Sequence, residues 1–173
     1  MEIRELEATD RRAVERFVER VPEGDRTFFK EDVAAPGVIE AWTRPGTARA
    51  IAVEDGEVVG YVAVVPLHGW SSHVGEVRVI VDPDRRGRGI GHALARRAVT
   101  EAIELDLRRM VVEVVADQEA TIAMFRSLGF DPEALLTDHV RDRSGALRDL
   151  MILAHSVEEQ WSSMVAAGIA DEL

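Results

Sequence analysis

The chain has 173 residues, a formal net charge of −11 and no cysteine. That length fits one domain with a real core, and the missing thiols exclude a disulfide framework, a thiolate metal site and a cysteine nucleophile. The acidic balance argues against general nucleic-acid binding, which needs a basic face, and permits a cationic substrate. No apolar run approaches the ~20 residues of a membrane span. The N-terminal Met-Glu-Ile-Arg-Glu-Leu-Glu has no apolar signal core. The expectation is a soluble, cytoplasmic protein with neither a membrane nor a nucleic-acid partner. Histidines 68, 73, 92, 139 and 155 lack paired ligand spacing, so no metal is expected.

Residues 2–7 read as a first strand. Thr9 or Asp10 caps a helix with Ala13, Val14, Phe17, Val18 and Val21 on its apolar face. Residues 25–42 hold short helical pieces. Phe28, Phe29 and Trp42 there make a small satellite core or wall a substrate pocket, and the core is the plainer expectation. Strands at 48–53 and 58–65 are joined by Glu54-Asp-Gly-Glu57, a hairpin signature. A loop at 66–72 carries His68 and Trp70. Val74–Val81 is the next strand, 90–105 a helix, and Arg109–Val115 a strand that is apolar at nearly every position. Residues 118–128 form a helix closed by Gly129. A second hairpin spans 135–141 and 146–154. The last element is an amphipathic helix at 157–167, where Trp161 closes the core or covers a partner, a homodimer included. This order suits an α+β fold, an α/β sandwich with one mixed sheet and helices on both faces.

The richest chemistry lies between Val77 and Leu94. A strand ends at Pro83, three glycines (87, 89, 91) alternate with other residues, and a helix follows. Arg85, Arg86 and Arg88 add charge, and the helix start adds free N–H groups and a positive dipole end. Together these make a phosphate or pyrophosphate cradle. A nucleoside-triphosphate loop needs Lys and Ser/Thr after the glycines, where this chain has His92-Ala93. A dinucleotide turn needs a third glycine where His92 stands, directly after the strand, and fits poorly.

Arg86-Gly-Arg-Gly89-Ile-Gly91, after a strand ending in Val-Asp-Pro, resembles the acyl-CoA-binding signature of the GNAT family of N-acetyltransferases. Gln118-Glu-Ala-Thr-Ile-Ala-Met-Phe-Arg-Ser-Leu-Gly-Phe130 resembles that family's second signature. The resemblance implies a GNAT-like, mixed, mostly antiparallel sheet. The transferase domain would span residues 1–156, followed by a C-terminal helix and tail at 157–173. It also implies acetyl-CoA as co-substrate and an amine acceptor, from a small molecule or a peptide. The loop Arg86, Gly87, Arg88, Gly89, Ile90, Gly91 and His92 would hold the CoA pyrophosphate. Val79, Ile80 and Val81 would offer main-chain groups to the pantetheine and the thioester carbonyl. Gln118 stands where the family has a CoA-contacting asparagine.

Acyl transfer also needs a proton acceptor for the amine. Glu113 is the first candidate: it is the one charge in an apolar strand, and burial is expected to raise its pKa, while its plainer role is a structural, hydrogen-bonded carboxylate at a sheet position facing solvent. It matches the base of the ribosomal-protein-alanine branch. Glu76 is the second candidate, with a pairing to Arg78 as its plainer role. His68 and His73 are outside candidates. The family's acid tyrosine falls on Phe125, which cannot donate a proton, and Tyr61 is the only tyrosine. Water then protonates the sulfur, or the thiolate leaves unprotonated, or catalysis is weakened. The alternative to an enzyme is an acyl-CoA-binding module without turnover.

Overall fold

Helices cover the sheet on each side, so residues 58–64, rich in valine, are buried on both faces. The computed structural model describes residues 1–44, 47–142 and 144–157. β1 (Glu2–Glu5), β2 (Arg49–Glu54), β3 (Glu57–Pro66), β4 (Val74–Val81), β5 (Arg109–Val115), β6 (Asp131–Arg141) and β7 (Leu147–Ser156) form one sheet in the order β1-β2-β3-β4-β5-β7-β6. Neighbours run antiparallel except β4 and β5, which are parallel. A parallel pair requires a crossover, supplied by the helix α3 (Ile90–Glu104).

The other helices are α1 (Arg11–Arg20), α2 (Val38–Trp42) and α4 (Glu119–Ser127). Successive side chains on a strand point to opposite faces. Ala50, Ala52, Val62 and Val64 join Leu94 and Ala98 of α3 and Phe125 of α4 in one core. Ile51, Tyr61, Ala63 and Ile80 join Val14, Phe17 and Val18 of α1 and Trp42 of α2 in the other. Phe29, Trp42 and Tyr61 stack there, with centroids 5.4 Å (Phe29–Trp42) and 4.8 Å (Trp42–Tyr61) apart. The expected satellite core therefore forms, while Phe28 lines the cavity described below.

Turn chemistry sets the joints. Asp55 and Gly56 have φ of 52° and 79°, the double left-handed pair of a two-residue hairpin. The Phe130 N–H reaches back to the Phe125 carbonyl (3.1 Å) and closes α4 around left-handed Gly129.

Two expectations on extents change. β1 stops at Glu5 because a 3-10 turn begins at Ala8, although the Leu6 N–H still bonds Arg49 O at 3.0 Å. β6 begins at Asp131 because the turn at Gly129 drops the chain straight into register with Ala154. Pro132 is tolerated because β6 is an edge strand. The expected closing helix lies outside the described residues, Trp161 included, apart from Val157, which is buried in the first core. Among the described residues no helix is long and apolar enough to cross a membrane.

α3 lies tightly on β3 at Gly60, where a Cβ would come within 2.7 Å of Leu94 Cδ1 and 3.1 Å of Ile90 Cγ2. Gly60→Val should overpack this contact and cost about 1–3 kcal/mol. Urea unfolding checks this: the midpoint falls while the slope stays unchanged.

Candidate active site

Two strand edges open to make the site. β4 and β5 pair only at Val74–Arg109, Gly75–Met110 and Glu76–Val111. Beyond these positions β4 stays on β3 as far as Val81, and β5 stays on β7 as far as Val115. The facing edges separate, and a cavity of about 810 Å3 fills the gap. Val79, Ile80 and Val81 line it on one side and Val112, Glu113 and Val114 on the other. It continues to Arg86, Gly87, Gly89, Ile90, Gly91, His92 and Gln118, and reaches Phe28 and Lys30 at the other end. Nearly all the residues expected to contact CoA are therefore brought together. Arg88 is the exception: it does not line the cavity, and its Nη1 lies 3.4 Å from Glu54.

The loop is held at its start by a buried carboxylate. Asp82 is 4% exposed. It accepts the Asp84 N–H at 3.1 Å and Arg20 Nε at 2.9 Å, while Arg20 Nη2 donates to Val58 O at 2.6 Å. This anchor joins α1, β3 and the loop, and nothing local in the sequence signals it. Gly89 precedes α3 with φ of 82°, a conformation closed to most side chains. The N–H groups of the first turn of α3 have no intrahelical acceptor, and that turn lines the cavity. The arginines carry partners already: Arg85 with Glu54 at 3.2 Å, and Arg86 with Asp25 at 2.5 Å. A phosphate in this cradle would take Arg86 from Asp25.

The two candidate bases share one cation. Lys30 Nζ lies 2.5 Å from Glu76 Oε1 and 2.5 Å from Glu113 Oε2. Arg78 Nε is a further partner of Glu76 at 3.3 Å, as the plainer reading expected. Burial pushes the Glu76 carboxyl up, but hydrogen bonds and charge from Lys30 and Arg78 outweigh it and hold the group below the usual carboxylate range. Of the two positions expected for Glu113, burial fails and the solvent-facing, hydrogen-bonded one is found, with its side chain 36% exposed. Val112 and Val114 take the buried positions, and the period of two sends Glu113 to the opposite face, where Lys30 meets it.

Phe125 lines the cavity at 1% exposure and packs edge-on against Phe130 with centroids 5.2 Å apart. Tyr61 does not replace it. Its hydroxyl sits in the second core against Arg49 Nη1, and burial pushes its pKa up. His68 and His73 do not line the cavity. Among the described residues no group of three or more His, Cys, Asp or Glu is placed to hold a metal ion.

The site is thus a strand pair that opens above a glycine-rich helix start. A sequence profile of the acetyltransferase (GNAT) family matches residues 5–130. The uncharacterised N-acetyltransferase YjgM of Escherichia coli K12 is 29% identical over 157 residues, covering 86% of this chain and 94% of YjgM. The ribosomal-protein-alanine N-acetyltransferase of Brucella melitensis superposes with a TM-score of 0.72 at 25% identity, over 90% of this chain and 99% of the other. A Sinorhizobium meliloti phosphinothricin acetyltransferase, solved in complex with AcCoA, gives 0.75 at 24% identity, over 90% and 87%. The chain belongs to the GNAT acetyltransferase family. It is an acetyl-CoA-dependent N-acetyltransferase, the first of the two activities expected from the sequence.

The Glu76 shift has a sign that can be tested. Its folded pKa lies below the unfolded value, so between the two the unfolded chain binds more protons and stability rises with pH. That contribution is present above the unfolded value near ~4.3 and is lost as pH falls through the folded one. Urea unfolding from neutral to acidic pH should show a shallower acid loss for Glu76→Gln than for the natural chain.

Proposed function

We propose that this protein transfers an acetyl group from acetyl-CoA to a primary amine of a small molecule or peptide. The observation that carries the reading is the continuity of one cavity. It joins the first turn of α3, the open edge of β4, and Glu113 with the Lys30 that bridges it to Glu76.

The residues present fit the co-substrate, which supplies the activated acetyl group as a thioester. N–H groups from Gly87 to Gly91 and the Arg86 guanidinium bind the pyrophosphate, with Ile90 and His92 in the same turn. Arg88 adds charge from the rim. Main-chain groups of Val79, Ile80 and Val81 bind the pantetheine arm, and an N–H among them stabilises the oxyanion. The Gln118 amide contacts the same molecule. Glu113 accepts the proton of the incoming ammonium from the solvent side, and Glu76 draws the cation in. With Phe125 in place of a hydroxyl, the sulfur leaves as thiolate and is protonated by water, which a thiol pKa of ~8.5 allows. The carboxylates at the acceptor end favour a cationic amine, such as a polyamine, an aminoglycoside-like compound or a basic peptide. We assign the transferase domain to residues 1–156 and its setting to the cytoplasm, where acetyl-CoA is available.

Isothermal titration with acetyl-CoA should show saturable binding, and thiol release should rise with a matching amine. Absence of binding would sink the reading. Glu113→Gln should lower kcat by ~10²-fold, the scale of a lost general base; turnover unchanged at every pH would remove Glu113 from that role. Phe125→Tyr should raise kcat toward the ~10²-fold contribution of a general acid. No gain would mean that position 125 lies outside reach of the sulfur.

A further inference from the structure

Lys30 is the only lysine in the chain, and its amine occupies an unusual place. Glu76 is the last β4 residue paired to β5, and Glu113 follows two positions after its partner Val111. Lys30 Nζ, 2.5 Å from each carboxylate, therefore sits where the two strands part. Lys30 also lines the cavity that contains Val79 to Val81 and the first turn of α3.

The segment that carries this amine is pinned on both sides. Arg78 Nη1 donates to Phe29 O at 3.1 Å and to Glu31 Oε1 at 2.9 Å. The Glu31 carboxylate also accepts Trp42 Nε1 at 2.7 Å and Arg49 Nη2 at 3.2 Å. Between these anchors Lys30 adopts φ of 56°, rare for a residue with a side chain. An external acceptor would have to bring its own ammonium to the carboxylates that Lys30 already occupies.

We propose that Lys30 is itself an acceptor, acetylated on Nζ in cis by its own active site. This rests on the acetyl-CoA reading above. The ammonium of Lys30 passes one proton to Glu113, which releases it to water from its exposed side. The Nζ lone pair attacks the thioester carbonyl carbon, a C–N bond forms, and the C–S bond breaks. The second nitrogen proton is shed to water as the amide forms, and the sulfur leaves as thiolate and takes a proton from water. The products are Nζ-acetyl-lysine and free CoA. The acetylated side chain has no charge, so Glu76 and Glu113 lose their shared cation and are left to a cationic external amine.

The test incubates the full chain with acetyl-CoA and no added amine, and follows intact mass with peptide mapping. With a single lysine, the N-terminal amine is the only other amino group. The expected result is one acetyl group on Lys30, gained at a per-chain rate that does not change with protein concentration. Lys30→Arg should take up none at that position, and the chain unfolded in guanidinium should not react there at the folded rate. A rate that grows with protein concentration, or equal labelling of the unfolded chain, overturns the proposal. Titration calorimetry separates the failures. Acetyl-CoA binding without Lys30 modification overturns self-acetylation alone, and absence of binding overturns the acetyl-CoA reading with it.

Discussion

β4 and β5 share three paired positions before their edges part, although both strands run on for several residues. Each is held on its outer side, β4 by β3 and β5 by β7. The sheet therefore behaves as two antiparallel halves joined by a short parallel seam. Twist accumulates across each half, and the seam is too short to keep the far ends together. The core beneath prevents collapse: Val112 and Val114 are buried with Leu94 and Ala98 of α3 and Phe125 of α4. What remains is a pair of strand edges with backbone groups that need partners. A ligand with amide groups along its length can supply them as an added strand would. The glycine loop lies at the end of the same opening because α3 must start there to cross over to β5.

Charge at the site is arranged as exchangeable pairs. Against a net charge of −11, Arg86 is matched by Asp25, Lys30 by Glu76 and Glu113, and Arg78 by Glu31 and Glu76. The Arg86–Asp25 pair, whose arginine is 52% exposed, is worth at most about 1 kcal/mol. Charge-assisted bonds to phosphate are roughly twice as strong as neutral ones. In the proposed binding mode, replacing Asp25 by a pyrophosphate oxygen at Arg86 would cost little and would free a carboxylate toward solvent. Binding at this loop would then be an ion exchange more than a neutralisation, as would the replacement of Lys30 by an incoming ammonium.

Local chemistry made much of this legible. Asp55-Gly56, Gly87, Gly89 and Gly129 each state a left-handed conformation that the structure adopts, while Gly91 sits in the helix without it. Strand periodicity located the sheet, and the two GNAT-like signatures located the cavity. What the sequence hid was of two kinds. Contacts such as Arg20–Asp82 and Lys30–Glu113 join residues 62 and 83 positions apart, and no periodicity connects them. The sole clue to Lys30 was that it is the only lysine. Glu113 was ambiguous for another reason. An apolar strand leaves both burial and a solvent-facing position open to its single charge, and the inward Val112 and Val114 decide between them.

Position 125 shows how the core and the chemistry constrain each other. Phe125 packs against Phe130, which stacks on His155 at 5.0 Å, and His155 Nδ1 lies 2.8 Å from the Gly129 carbonyl. This chain of contacts fixes the end of α4 and also the floor of the gap. A phenyl ring satisfies the core outright, since it brings no hydroxyl that must find a partner. The same choice leaves the leaving-group side of the gap apolar, with Tyr61 buried out of reach in the other core. In the proposed reaction the protein's proton chemistry then lies wholly on the acceptor side, at Glu113 and Glu76.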